Sequence, residues 1–299
     1  MTTRRTRLAA CALAMTLGAA ACAGEPEQPD VQTVTDEEAS ERFTPAEPSK
    51  ATIEEESPRR RPDPSSSPAP DWLGTRPLPR GADGYGEVRP TPPELADRRL
   101  WTEDLLPPPP DDEFTWTSGP VPPEIQQRAT WTPECPVALE DLHYLTVTFL
   151  GFDGLAHTGE LIVHRTVAEQ VVGVFRTLYA ARFPLEYLLV TAPVHNTQPP
   201  TGDGNVSNAY NCRAARGATH WSEHAKGLAI DINPFHNPFH RRDTVLPELA
   251  SAYLDRSNVR PGMIVPGDVV TTAFADIGWH WGGDWRSMKD YMHFSASGS

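Results

Sequence analysis

Downstream of residue 140 apolar and polar positions recur with clear periods; upstream of about residue 125 they do not. Residues 142–150 (LHYLTVTFL) are rich in β-branched and aromatic types and predict a strand. Gly151-Phe-Asp-Gly154 supplies turn chemistry, and residues 160–164 predict the returning partner of a hairpin. Thr166 is placed to cap a helix to about residue 182, with Val167, Val171, Val174, Phe175, Leu178 and Tyr179 at helical spacing. Residues 187–191 read as another strand, and the Gly- and Asn-rich run 198–211 as a loop. A second helix is expected to begin near Gly267-Asp268 and to end before Gly278, followed by strands at 279–281 and 291–294.

The run 227–233 (GLAIDIN) reads as a short buried strand. Side chains alternate along a strand, so Ala229, Asp231 and Asn233 share one face and Leu228, Ile230 and Ile232 the other. A carboxylate opposite three apolar residues needs a polar partner, and His224 reaches the same point from the turn just before. The alternation leaves one gap. If 290–294 is a regular strand, Asp290 faces away from His293, so Asp290 has to sit at a bend or a strand end. Short strands mixed with helices predict an α+β domain, with a small, mostly antiparallel sheet and flanking helices. Its roughly 170 residues can bury a sizeable core.

Composition divides the rest of the chain. Arg4, Arg5 and Arg7 followed by an apolar run from residue 8 to 21 read as a signal peptide over residues 1–22, too short to remain as a membrane span. Ala19-Ala-Ala-Cys22 resembles a lipobox, which would put a lipid on Cys22; cleavage at an A-x-A site fits the same residues. Residues 23–125 hold about two-thirds of the 32 prolines and few aliphatic residues, and predict a disordered to extended linker. They carry 23 acidic against 10 basic side chains, which accounts for nearly all of the net charge of −14. The acidity therefore describes a spacer and says little about a substrate; nothing points to nucleic acid. Trp72, Tyr85, Leu95, Leu100, Trp101, Leu105, Leu106, Phe114 and Trp116 are more anchors than a spacer needs, so parts of 72–125 are expected to lie extended across the folded domain, 126–299.

Histidine nitrogens and a carboxylate oxygen suit Zn²⁺, and a catalytic zinc site keeps three protein ligands and an open fourth position. The pattern S-x-H-x-x-G-x-A-x-D from Ser222 to Asp231, with D-x-x-H from Asp290 to His293, resembles the zinc D-Ala-D-Ala carboxypeptidase and L-Ala-D-Glu endopeptidase family, whose domain is related to the hedgehog signalling domain. Asn211-Cys-Arg213, Tyr253-Leu-Asp-Arg-Ser257, Arg260-Pro-Gly-Met263 and Gly278-Trp-His-Trp-Gly-Gly-Asp-Trp-Arg286 extend the resemblance to the branch called extensin-like or carboxypeptidase-like. The resemblance implies His224, Asp231 and His293 as zinc ligands, Asp290 as general base and Arg213 as the cation facing the oxyanion. Relatives carry glutamate at the base position, so the shorter aspartate has to sit closer to the water. Ser222, Trp281 and Trp285 are expected to touch substrate, whereas Trp279 reads as core.

The implied function is hydrolysis of peptide bonds in the stems of bacterial peptidoglycan by an exported monomer, bound to the membrane only through Cys22 or secreted into the wall. A non-catalytic wall-binding protein on the same fold is the alternative, and the carboxylate at Asp290 favours the enzyme. Cys11 leaves with the signal and Cys22 is the possible lipid site, so Cys135 and Cys212 remain as a candidate disulfide. Two reduced thiols, a thiolate ligand or a weakly supported nucleophile at Cys212 stay open as alternatives.

Overall fold

A computed structural model describes residues 61–81, 84–215 and 218–299. The signal, the lipid site at Cys22 and the acidic stretch up to residue 60 lie outside the described residues. The strands are β1 (Trp116–Pro120), β2 (Leu142–Gly151), β3 (Ala156–His164), β4 (Pro184–Leu185), β5 (Tyr187–Leu188), β6 (Val206–Ser207), β7 (Ala229–Asp231), β8 (Phe239–Arg241), β9 (Thr244–Leu246), β10 (His280–Trp281), β11 (Lys289–Asp290) and β12 (His293–Ser295). The α-helices are α1 (Pro123–Arg128), α2 (Ala168–Ala180) and α3 (Val269–Asp276).

The architecture is α+β, but the single sheet expected from the sequence is divided. β1, β2 and β3 run antiparallel in order, with β4 added parallel to β2; β10-β12-β7 and β11-β8-β9 are separate antiparallel sheets, and β5 pairs β6 in parallel. Strands of two or three residues cannot extend one ladder far, so the C-terminal half closes around small local sheets. The hairpin β2–β3 is longer than its sequence signal, since pairing runs from Leu142↔His164 to Leu150↔Ala156.

α2 lays Val171, Val174, Phe175 and Leu178 against Leu145, Val147 and Phe149 of β2. Ile230 and Phe294, from β7 and β12, belong to the same core, so the strands that carry Asp231 and His293 are pinned to the largest apolar cluster. Burying each such side chain contributes about 1.5–3 kcal/mol relative to exposure. Thr166 does not cap α2: the helix starts at Ala168 without a side-chain cap, and Thr166 Oγ1 lies 2.8 Å from His164 Nδ1. Asp268 does cap α3, accepting from Thr271 N at 2.8 Å.

Within the described residues, the strap of residues 61–115 packs on the folded domain, as expected for parts of 72–125. Leu78, Leu95 and Leu100 form a core with Phe235, Leu249, Tyr253 and Met263. Arg98 is buried and pairs with the equally buried Glu186, Nε to Oε2 at 2.7 Å and Nη2 to Oε1 at 2.6 Å, while Nη1 donates to Asp203 O. Buried acids on the domain also receive the strap's backbone: Asp203 accepts from Gly74 N and Glu248 from Gly86 N. Few aliphatic side chains suffice here because the segment is fixed by hydrogen bonds to charged groups, each worth about 1.5–3 kcal/mol.

Candidate metal centre

Asp231 and His293 are register partners on β7 and β12. Directly opposed residues of an antiparallel pair project to the same face, which brings the two side chains together. On its other edge Asp231 is bridged to Asn208, with Asp231 N donating to Asn208 O at 2.8 Å and Asn208 N to Asp231 O at 3.1 Å. The next residue, Ala209, offers its carbonyl to His224 Nδ1 at 2.5 Å. One bridge therefore sets both the Asp231 backbone and the tilt of the His224 ring.

His224 lies on a 3₁₀ turn, Glu223–Lys226, that enters β7. Ser222 caps this turn, its Oγ accepting from His224 N at 3.3 Å. Ser222 is thus a support for His224. Gly227 ends the turn at φ 69°, and a Cβ there would meet His164 N at 2.5 Å. The glycine of the motif answers both demands, left-handed backbone and close approach.

The three side chains converge. His224 Nε2 is 3.2 Å from His293 Nδ1 and 3.3 Å from Asp231 Oδ1, and His293 Nδ1 is 3.2 Å from Asp231 Oδ1. With zinc–ligand distances near 2.0–2.1 Å, the edge of a tetrahedral face is about 3.3–3.4 Å, so this triangle has the size of three zinc ligands. The tautomers agree. His224 donates its Nδ1–H to Ala209 O, and His293 Nε2 lies 3.3 Å from Ser299 O, where it donates. Both rings thus turn an unprotonated nitrogen toward the carboxylate, the outer-sphere arrangement that orients metal-binding histidines. Two imidazole nitrogens and a carboxylate oxygen that converge in this way could hold a metal ion, and the donor set fits Zn²⁺.

The field agrees with the geometry. Burial opposes the charged form of Asp231, but His224 and His293 outweigh it and hold the carboxyl well below the usual range. Burial likewise opposes a charged His293, yet hydrogen bonding and attraction from Asp231, and more weakly attraction from Asp290, raise its pKa. Asp290 is therefore within electrostatic reach of His293. The chain reconciles the two by ending β11 at Asp290, bending through Tyr291 and Met292, and beginning β12 at His293. β11 pairs with β8 and β12 with β7, so base and ligand belong to different sheets.

The remaining sequence candidates divide. Arg213 follows Cys212 on the segment leading to the site; its Nη1 donates to Ala214 O at 3.2 Å, and no described contact of the three ligands reaches it. Cys212 is bonded to Cys135, with Cα atoms 5.9 Å apart, so neither sulfur is a ligand. Trp281 is a core residue, stacked on Phe294 with its Nε1 donating to Tyr291 O at 2.8 Å. Trp285 is half-buried, 5.5 Å between ring centroids from His293, and its Nε1 donates to Gly298 O. Trp279, Trp281 and Trp285 line a cleft of about 670 Å³ with Thr271 and Asp284, but none of the three ligands lines it. Trp279, expected as core, is both buried and part of that wall. Sequence reading missed the Ala209 carbonyl, which has no side-chain signal, and Arg256, whose only mark was its place in the Tyr253–Ser257 resemblance.

The triad defines a candidate metal-binding site. Residues 216–296 match a protein family described as D-alanyl-D-alanine carboxypeptidase, a span well under half of the chain that contains His224, Asp231, Asp290 and His293. Arg213 lies just outside it. Neither a curated protein nor a solved structure gave a match.

Proposed function

We propose that the protein is a zinc-dependent peptidase that hydrolyses peptide bonds in the stem peptides of bacterial peptidoglycan. The observation that carries this reading is the triangle of His224 Nε2, Asp231 Oδ1 and His293 Nδ1, three acceptors of zinc-site dimensions with outer hydrogen bonds that fix their tautomers. The similarity of residues 216–296 to D-alanyl-D-alanine carboxypeptidases supports the substrate class.

His224, Asp231 and His293 would hold Zn²⁺, which when bound would supply Lewis acidity for a scissile carbonyl and for water. Asp290, close enough to act on His293, accepts the proton of the attacking water and returns it to the leaving amine. Arg213 supplies the cation for the developing oxyanion. Trp285 stands beside His293 as a wall for the peptide. The protein acts as an exported monomer, carried on a lipid at Cys22 or released into the wall.

The test uses the full exported chain, because residues 61–115 pack into the folded unit. Incubation with a defined muropeptide should give cleavage products by mass spectrometry, lost with a chelator and restored by zinc. Loss of a terminal D-Ala distinguishes a carboxypeptidase from an endopeptidase acting inside the stem. His224→Ala, Asp231→Ala and His293→Ala should each lower zinc content. Binding of wall fragments by zinc-loaded protein without any cleavage would overturn the peptidase reading and leave the wall-binding one.

A further inference from the structure

Arg256 lies outside the metal triad, yet it contacts the two pieces of chain that set the place of Asp290. Its Nη1 donates to His236 O at 2.8 Å and to Tyr253 O at 3.0 Å; its Nη2 donates to Asn237 Oδ1 at 2.9 Å and to Ile264 O. These bonds fix the plane of the guanidinium. Burial pushes its pKa down to about 10, which leaves it charged at neutral pH. Cζ then sits 4.5 Å from the centroid of the Tyr291 ring, where a cation is attracted by the π face.

Tyr291 is the first residue of the bend between β11 and β12, directly after Asp290. Its carbonyl accepts from Trp281 Nε1, and its ring lies 5.9 Å from the Trp281 ring. Asn237, the other partner of Arg256, is buried and donates to Ile232 O, Asn233 O and Gly262 O. Two residues later begins β8, in which Phe239 is the register partner of Asp290. Arg256 therefore ties the residue after Asp290 to the strand beside it. The packing is close: a Cβ on Gly282 would meet Asp290 O at 2.6 Å.

We propose that Arg256 is a positioning residue for Asp290, acting through the face of Tyr291 and through Asn237; this rests on the reading of Asp290 as the base. Proton transfer needs heavy atoms within about 2.6–3.2 Å, and an aspartate has one methylene fewer than glutamate with which to correct a misplaced backbone. The bend itself is held by Trp281 Nε1 on Tyr291 O and by Ile232 N, which donates to Met292 O at 3.0 Å, and the cation against the Tyr291 ring adds the hold on the side chain that follows Asp290.

The experiment compares full-chain Tyr291→Leu, Tyr291→Phe, Asp290→Asn and the double variant Asp290→Asn/Tyr291→Leu, each loaded with zinc. Zinc content, kcat, KM and the acid limb of the pH profile are measured on a defined muropeptide. Tyr291→Leu should lower kcat about tenfold, less than the ~10²-fold that a full ångström of displacement can cost, with zinc content and KM kept. It should also move the acid limb. Tyr291→Phe, which keeps the ring, should restore turnover to within about twofold, since the π face is what the cation sees. The double variant should be no slower than Asp290→Asn alone, because a residue acting only through Asp290 has nothing left to position. The inference is overturned if Tyr291→Leu keeps full kcat, loses zinc, or costs the same factor in both backgrounds. Full turnover in Asp290→Asn is a different result: it removes the base itself, and this inference with it.

Discussion

Arg98, fully buried, and Asp231, partly buried, are charges at positions without long regular elements, and their neighbours treat them in opposite ways. Arg98, on the strap of residues 61–115, is met by a full carboxylate, a carbonyl and the packing of Phe235, so its charge is balanced within the protein. Asp231 and its two histidines converge on one spot with distances of 3.2–3.3 Å and could hold a metal ion supplied from outside. The strap is closed polar structure, and the triad is open. In this molecule a satisfied buried ion pair marks architecture, and an unsatisfied convergence marks chemistry.

The sharpest way to break this contrast is Arg98→Ala. It leaves Glu186 buried without its cation and should cost about 3–5 kcal/mol of stability, read by denaturant unfolding. Zinc content of the remaining folded protein should stay at wild-type level. A loss below about 1 kcal/mol would mean that the strap is held mainly by its apolar anchors. The second test is at Cys135–Cys212, which closes a separation of 77 residues and tethers the segment before the site. Removing the bridge with a Ser pair should cost about 2–4 kcal/mol by thermal or chemical unfolding. Thiol titration of denatured protein should find neither sulfur free.

Asp290→Asn falls on the open side of the comparison. It should lower kcat by about 10²-fold or more, roughly 2.7 kcal/mol of barrier, while stability and zinc content stay near wild type. The smallest expected effect concerns His157, which joins strap and hairpin: Nδ1 is 2.8 Å from Asp104 and Nε2 3.1 Å from Asp153. Burial opposes its protonation, but the two carboxylates outweigh it and raise its pKa. A raised folded pKa contributes stability that is full below the ordinary histidine value of about 6.5 and is lost as pH rises through the folded value. Unfolding at a series of pH values should therefore show stability declining above neutrality, and His157→Gln should flatten that slope.

Legibility in the sequence followed how local each cause was. The hairpin at 142–164 and the start of α3 near Asp268 depend on neighbours a few residues away and were readable. Asp231 was readable as an acid on an otherwise apolar strand, and His224 as the residue reaching it from a turn. The relation of Asp290 to His293 was not, because β11 and β12 belong to different sheets and no alternation rule crosses the bend at Tyr291. The cap made by Ser222 was not readable, because a serine beside a motif reads equally well as a contact or a cap. The strap was readable from its large apolar anchors as lying across the domain, but not in what holds it there. Its composition describes a chain poor in aliphatic residues, whereas its anchoring depends on Glu186, Asp203 and Glu248, acids about 90 to 160 positions downstream whose burial no local pattern announces.

The strap also has a consequence for time. Its partners run from Asp153, which accepts from Asp63, to Arg260, which reaches back to Ala96, so it has little to dock on until most of the chain has been made. Contacts of such long sequence separation demand loop closure before they return any energy, which makes their formation slow. Refolding followed by the fluorescence of Trp72 and Trp101 should therefore lag behind formation of the local hairpin β2–β3, so that a strap made before the domain it docks on takes its place after it.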